Sequence, residues 1–459
     1  MGGNNVPTNA SERAYRNMEM ESILNTREMR GIQLEKLKKL IVRLYEGKPF
    51  WRERMEKAGV GPGDIRTLED FGRSMPVFDK TQRRKLTEDC GMDMSRVVDR
   101  TIGVPMENLV LMAATSGTTG EPTPYPMTRH DIEWLSENIA RMHWRIGVRP
   151  GDRIVHAFGL SMWLAGVPYA QFSQRSGACV FPVGAEGGTE RILKFINLFK
   201  ANVLACTPSL AEHLITKAPE VLGRGVGELR IKRLFCGGEP GAGIPEVRRN
   251  LETSYGARLS DHGAGFGISC DHPEYQGMHH VADDTVLCEL VDPETYEPVR
   301  FEDGAKGLPV FTTLEGEGFL WFRETIGDVC QVFTEPCPCG ATGFRYKIIG
   351  RTDDMLKVKG IIVYPAAIDG VIAGFIPRVT GEFRIVLEEP PPRVVPPLEL
   401  RIEYGEGVAA ADLPGLAREI EEKMKNRLKV TPRVQWLRPG TLERSMNKTR
   451  FIEKAYEKK

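Results

Sequence analysis

The chain has 459 residues, 41% of them hydrophobic and 27% charged, an ordinary globular composition that excludes wholesale disorder. Its 62 basic residues balance 62 acidic ones, so there is no global positive field to gather nucleic acid and no polybasic tract to hold a membrane; an anionic ligand must be held by local groups. The length fits one large domain with a smaller one, and it needs no staples to build a core.

Apolar stretches stop well short of the roughly 18 residues that cross a bilayer, and the first twenty residues lack the apolar core of a signal peptide. Nine cysteines without an export signal read as reduced thiols, and the expected compartment is the cytoplasm. In chain order, residues 1–100 read as mostly helical; Ile32, Leu34, Leu37, Leu40, Ile41 and Leu44 recur near the helical period. From Leu109 the pattern changes. Apolar runs at Leu109–Ala114, Arg153–Gly159, Gly177–Val183, Ala201–Pro208 and Arg230–Gly238 alternate with helix-like stretches at His130–Trp144, Gly188–Lys200, Pro208–Ala218 and Ile244–Tyr255. Strands alternating with helices predict βαβ units on a parallel sheet. Residues 283–335 read as a strand-rich subdomain. Beyond Arg351–Asp354 come the strand-like Phe383–Glu389, Leu398–Tyr404 and Arg433–Leu437, a charged helix at Gly415–Leu428 and a Pro-rich loop at Glu388–Pro397. The fold class is therefore α/β, with a large N-terminal domain over 1–352 and a small α+β domain over 353–459.

Five segments carry chemistry. Thr115, Ser116, Gly117, Thr118, Thr119 and Gly120 follow the strand at Leu109–Ala114; hydroxyls between glycines supply O–H and N–H donors that can curl around phosphates, although no Gly-Lys-Ser/Thr follows to make a P-loop. Cys236, Gly237, Gly238, Glu239 and Pro240 also follow a strand, and glycines there let a flat ligand approach the backbone. Phe322–Asp328 ends in an aspartate after a glycine turn, suited to a ribose diol or equally to capping a turn. Gly350–Gly360 packs Arg351, Asp353, Asp354, Lys357 and Lys359 at the domain junction, and Arg444–Arg450 is a basic segment around Lys448.

In this order and spacing the five segments resemble the acyl-adenylate-forming (AMP-forming) ligase superfamily, most closely its phenylacetate–CoA ligase-like branch. Pro182-Val183 before Gly188–Arg191, Thr207-Pro208-Ser209, Cys337-Pro338-Cys339-Gly340 and Val363–Asp369 match the same branch, so the resemblance spans roughly residues 35–456. It implies two half-reactions, with ATP, Mg2+ and CoA as cofactors and a small carboxylic acid as partner, on a core whose C-terminal domain is a mobile lid. Residue by residue it implies that Thr115–Gly120 wrap the β- and γ-phosphates, that Gly237, Gly238, Glu239 and Pro240 flank the adenine, and that Asp328 holds the ribose with Arg351 beside it. Lys448 would bridge carboxylate and α-phosphate, Asp353 would be the hinge, and Gly360 would lie along the pantetheine arm. The acyl pocket would involve His156, Trp163, Tyr169 and Gly238, whose aromatic and small residues suit a flat aromatic acid; ordinary core packing is the competing reading of each. A homodimer is also implied.

One departure stands out. The superfamily pattern of Tyr-Gly-x-Thr/Ser-Glu, with its adenine-stacking Tyr and Mg2+-associated Glu, is here Ser260–Gly267, which contains Asp261 and His262 but no Glu; Asp261 or water on the phosphates would have to serve. The branch also implies a structural zinc held by Cys270, His279, Cys337 and Cys339, a closed tetrahedral set of three thiolates and an imidazole, with His280, His272, Cys288 and Cys330 as rival ligands. The leading expectation is an AMP-forming acid–thiol ligase of aromatic acid degradation, phenylacetate- or benzoate-like. An adenylyltransferase of the coenzyme F420-adenylylating type and a degenerate nucleotide-binding protein are the alternatives, and no nucleic-acid or membrane partner is expected.

Overall fold

The computed structural model describes residues 26–115, 122–263, 265–443 and 451–457. The chain opens with helices α1 (Arg27–Gly47), α2 (Pro49–Lys57), α3 (Leu68–Ser74), α4 (Lys80–Asp89) and α5 (Met94–Thr101). Thr26 caps α1 through its side chain, and Thr67 and Asp70 form a reciprocal capping box on α3. Leu37, Leu40, Ile41 and Leu44, one face of α1, join Trp51, Phe71, Phe78 and Phe322 in one buried cluster. The lead-in is thus bonded by its apolar face to the segment that carries Asp328.

A hairpin, β1 (Leu109–Thr115) with β2 (Thr123–Thr128), precedes the main sheet. That sheet contains β3 (Arg153–His156), β4 (Cys179–Pro182), β5 (Val203–Cys206), β6 (Arg233–Gly237), β7 (Arg258–Gly263), β8 (Gly267–Ser269), β9 (Met278–His280), β10 (Val286–Val291), β11 (Lys306–Thr313), β12 (Asp328–Phe333) and β13 (Arg345–Arg351). Among the described residues its order is β10-β11-β12-β13-β9-β8-β7-β6-β5-β3-β4. The run β7-β6-β5-β3-β4 is parallel, and the remaining pairings are antiparallel. All four residues of β5 are buried, as a parallel strand covered on both faces requires. Helices α6 (Arg129–Arg145) and α7 (Val167–Ser173) cover one face of the parallel half; α8 (Thr189–Phe199), α9 (Pro208–Leu222) and α10 (Pro245–Tyr255) cover the other.

Beyond Arg351 lie β14 (Leu356–Val358), β15 (Ile361–Val363), α11 (Pro365–Ile372), β16 (Val379–Leu387), β17 (Arg393–Val394), β18 (Leu398–Tyr404), α12 (Leu413–Leu428), β19 (Pro432–Leu437) and β20 (Ile452–Lys454). Four of these strands form a separate sheet, β19-β18-β16-β20. Leu356, Ile368, Phe383, Ile385, Leu400, Ile402, Ile420 and Met424 belong to one buried cluster of their own. This unit is tied to the rest by Arg427, which pairs with Glu246 at 3.6 Å, by Lys357, which pairs with Glu294, by Ala373, which joins the large domain's buried cluster, and by Tyr364, which packs on Gly350, as described below.

Candidate active site and a cysteine–histidine cluster

The C-terminal ends of β3, β5, β6 and β7 converge on one crevice, where ligands collect in open α/β sheets. β6 runs into Gly237 and then Gly238, whose φ of +86° is the left-handed region that glycine enters without penalty. A β-carbon on Gly237 would lie 2.6 Å from the His262 carbonyl, and one on Gly238 would lie 3.0 Å from the Trp163 indole. Both glycines therefore exist for close approach. The Glu239 carboxylate accepts the Ser209 N–H at 2.7 Å, tying the loop after β6 to the start of the helix after β5. Its place in the motif is thus a brace between two loops.

Around Gly238 lies a chain of rings. Trp163 meets Phe158 edge-on at 5.7 Å, Phe158 meets Tyr169 at 6.4 Å, and Tyr169 meets His262 at 5.3 Å. His156 lies nearly parallel to Tyr169 at 6.3 Å. Tyr169 and His156 are buried, while Trp163 and His262 keep part of their surface open. Burial depresses His156 and His262 to about 4 and the neighbouring His143 to about 3, so all three are neutral rings at neutral pH. Of the expected acyl-pocket set, His156, Trp163, Tyr169 and Gly238 are therefore brought together.

Asp261 and His262 are not. Successive residues of β7 point to opposite faces. His262 joins the aromatic chain, whereas Asp261 accepts a hydrogen bond from the Tyr275 hydroxyl at 2.6 Å on the other side, with Arg248 and Lys347 nearby. Burial pushes the Asp261 carboxyl up to about 6. His262 therefore lines the crevice side, while Asp261 is held by Tyr275 on the opposite face of β7.

Asp328 opens β12 and Arg351 closes β13, directly opposite each other in the ladder. The Arg351 guanidinium donates to Asp328 at 2.5 Å, to Asp353 at 3.1 Å and to the Ile326 carbonyl at 3.0 Å. Thr352 donates its N–H to Gly327 O at 2.8 Å. Asp353 also receives Lys80 Nζ at 2.6 Å. Burial would raise the Asp353 carboxyl, but Arg351 and Lys80 hold it down to about 2, so Asp353 is a carboxylate at neutral pH between these two side chains. Gly360, with φ +82°, follows Lys359 at φ +49° in the tight turn between β14 and β15, and its Cα faces open space. Thr115 closes β1, and its side chain reaches the Tyr125 hydroxyl. Ser116, Gly117, Thr118, Thr119 and Gly120, and also Lys448, lie outside the described residues. Pro240 starts a short 3-10 turn.

Away from the crevice, Cys270, His279, Cys337 and Cys339 place one ligand atom each within 4.8 Å of all the others. Cys270 Sγ is 3.9 Å from Cys337 Sγ, and Cys339 Sγ is 3.4 Å from His279 Nε2. The other imidazole nitrogen, Nδ1, faces the Thr342 carbonyl at 3.4 Å, which leaves Nε2 for the cluster, and Ala341 donates its N–H to Cys339 Sγ at 3.4 Å. The two rival histidines are engaged elsewhere: His280 stacks on Phe344, and its Nδ1 faces Gly265 O at 2.7 Å, while His272 Nδ1 faces Glu274 O at 3.0 Å.

Sequence reasoning passed over Lys80 and Tyr275. Lys80 sits 273 residues from its partner, and no local pattern marks it; Tyr275 meets Asp261 across 14 residues, and no local pattern marks it either.

The described geometry, two α/β units joined at an ion-paired Arg-Thr-Asp with glycines lining a sheet-end crevice, is that of an AMP-forming, acyl-adenylate ligase. Residues 360–454 match the family model described as AMP-binding enzyme C-terminal domain. The chain is 33% identical to a phenylacetate-coenzyme A ligase of Thermus thermophilus over 440 residues, covering 91% of this chain and 94% of that one. It is 29% identical to the phenylacetate-coenzyme A ligase of Escherichia coli, covering 76% and 77%. A crystal structure of a 2-hydroxyisobutyryl-CoA ligase in the postadenylation state, with its acyl-AMP, superposes with a TM-score of 0.83 at 28% identity over 93% of this chain and 90% of that one. The same ligase in its thioesterification state gives 0.66. The chain belongs to the phenylacetate–coenzyme A ligase family and is an acid–CoA ligase of the AMP-forming type.

Proposed function

We propose that the chain activates an aromatic carboxylic acid, phenylacetate- or benzoate-like, to its CoA thioester. The observation that supports this is the run of Trp163, Phe158, Tyr169 and His262 beside Gly238: flat, neutral and apolar surfaces at the sheet end pack a ring and leave its carboxylate at the glycine edge. In the first step a carboxylate oxygen attacks the α-phosphorus of MgATP and pyrophosphate leaves. In the second the CoA sulfur attacks the acyl carbon and AMP leaves. The protein's work is placement and neutralisation of spreading charge. Thr115–Gly120 hold the β- and γ-phosphates, Asp328 takes the ribose hydroxyls, Lys448 supplies a cation to the carboxylate and α-phosphate, and Asp353 is the pivot on which residues beyond it turn between steps. Gly360 then lies along the pantetheine arm.

We also propose a structural zinc in the Cys270–His279–Cys337–Cys339 cluster. A tetrahedron with Zn–S near 2.3 Å has S–S edges of about 3.8 Å, and the Cys270–Cys337 spacing of 3.9 Å fits it. Burial and the adjacent thiols push the Cys270 thiol up to about 12; a cation reverses that preference by taking thiolates. The bound ion would fix the 270–279 segment to the 337–339 turn. His279 would keep its tautomer through Thr342.

A pyrophosphate-release screen over aromatic and aliphatic acids, with and without CoA, tests the reading. Acid-dependent pyrophosphate, with AMP and an aryl thioester as products, is expected. ADP as product, activity confined to aliphatic acids, or an adenylate that CoA never discharges would overturn it.

A further inference from the structure

We propose that Lys80 is a latch on the pivot: its ammonium holds Asp353 in the adenylate-forming arrangement and lets go when the C-terminal unit turns to receive CoA. The proposal rests on Asp353 being that pivot.

Lys80 is delivered by a rigid element. Asp79 caps α4 through the Gln82 N–H and accepts the Tyr296 hydroxyl at 2.8 Å. Phe78 donates its N–H to Arg323 O at 2.8 Å and accepts the Thr325 N–H at 3.1 Å, so the strip 77–80 is stitched to the segment that leads into Gly327 and Asp328. The Phe78 ring is 1% exposed, with the Arg54 and Arg83 guanidinium groups each 5.0 Å from its centre. Lys80 Nζ then meets Asp353 Oδ2 at 2.6 Å while Arg351 takes Oδ1, and the Lys80 Cε lies 3.8 Å from where a β-carbon on Gly327 would sit. The helical lead-in, the ribose-binding turn and the pivot thus share one line of contacts.

The chain superposes better on its relative's postadenylation form than on its thioesterification form, so the Lys80–Asp353 pair belongs to the arrangement in which the adenylate is held. Turning about residue 353 re-aims its side chain, and a group fixed to α4 cannot follow. The strength suits the task. The Lys80 side chain is 48% exposed, and exposed pairs move an equilibrium only a few-fold: enough to bias the resting lid, too little to trap it.

The test uses the full-length chain with Lys80→Met, Lys80→Asp, and Lys80→Asp combined with Asp353→Lys. Pyrophosphate release reads the first half-reaction. Thioester formation from synthetic acyl-AMP reads the second. A fluorophore pair across the two units reads lid position. Lys80→Met is expected to cut the adenylate-forming population and the first step about two- to five-fold without slowing the second, Lys80→Asp to cut them further, and the charge swap to recover both. The latch is overturned if the single variants leave lid position unchanged, or if the swap recovers nothing while the KM for ATP rises, which would make Lys80 a phosphate ligand. The pivot is tested separately by Asp353→Pro, read by the fluorophore pair and the second step. An unimpaired second step would remove the pivot reading; a blocked one with unmoved Lys80 variants would remove the latch alone.

Discussion

The ring of Tyr364 occupies the space that a side chain on Gly350 would need: a β-carbon there would sit 2.0 Å from Tyr364 Cγ and 2.1 Å from Cδ1. Gly350 is in β13, one residue before Arg351, and Tyr364 leads into α11 of the C-terminal unit. This contact seats the small unit against the large one at the junction.

Gly350→Ala therefore forces the two units apart in this arrangement. Such overpacking costs about 1–3 kcal/mol, and adenylate formation is expected to fall at least several-fold while thioester formation from preformed acyl-AMP is spared. Adding Tyr364→Ala removes the ring and should restore the first step. If the double variant is no better than Gly350→Ala alone, the contact is not what limits seating.

The Cys270–His279–Cys337–Cys339 cluster makes a second prediction. Elemental analysis should find close to one zinc per chain. Chelation, or Cys337→Ala at this buried position, should lower the melting temperature by several degrees, because metal binding to a site absent from the unfolded chain is folding free energy. KM for ATP and acid in the folded fraction should hold, since the cluster lies off the crevice. A metal-free protein with an unchanged melting temperature would remove the zinc.

How much of this was legible in the sequence follows from range. The βαβ alternation, with the fully apolar β5 at its centre, is a local signal, and it gave the fold class. The Cys/His set was legible only through the resemblance to the branch, which places a Cys…His pair ahead of the Cys-x-Cys, and the structure brings all four together. The crevice was legible as a set of strand ends. What was not legible depends on side-chain direction or on distant pairing. Glu239 braces Ser209, Asp261 faces Tyr275 across the sheet from His262, and Lys80 reaches Asp353; none of these follows from spacing along the chain.

Opposed titrations shape the pH dependence of stability. His143, His156 and His262 are depressed to about 3, 4 and 4 by burial, below the ordinary imidazole value near 6.5. The unfolded chain then binds more protons, so their contribution is complete above pH 6.5 and is lost as pH falls from there toward 4 for His156 and His262 and toward 3 for His143. Asp261 runs the other way. Raised to about 6, its folded form holds a proton that the unfolded form has lost, so it costs stability as pH rises from about 4 to 6 and the cost stays above that. Asp261→Asn should therefore match the wild type near pH 4 and exceed it in melting temperature at pH 7. Urea melts at several pH values check this; an advantage that does not grow with pH would assign Asp261 a different role.

Lys448 lies outside the described residues, yet the charge argument for it is direct. In the adenylation step two anions, carboxylate and α-phosphate, must meet, and a fixed ammonium between them offsets their repulsion as negative charge spreads over the phosphoryl oxygens. In the thioester step the carboxylate is already an anhydride and that repulsion is gone. Lys448→Ala should then cut acid-dependent pyrophosphate release by about 10²–10³-fold, the usual effect of removing one fixed donor, while thioester formation from synthetic acyl-AMP stays within a few-fold. Equal loss of both half-reactions would mean that the segment Arg444–Arg450 serves folding or CoA binding, and the cation for the first step would have to come from elsewhere on the chain.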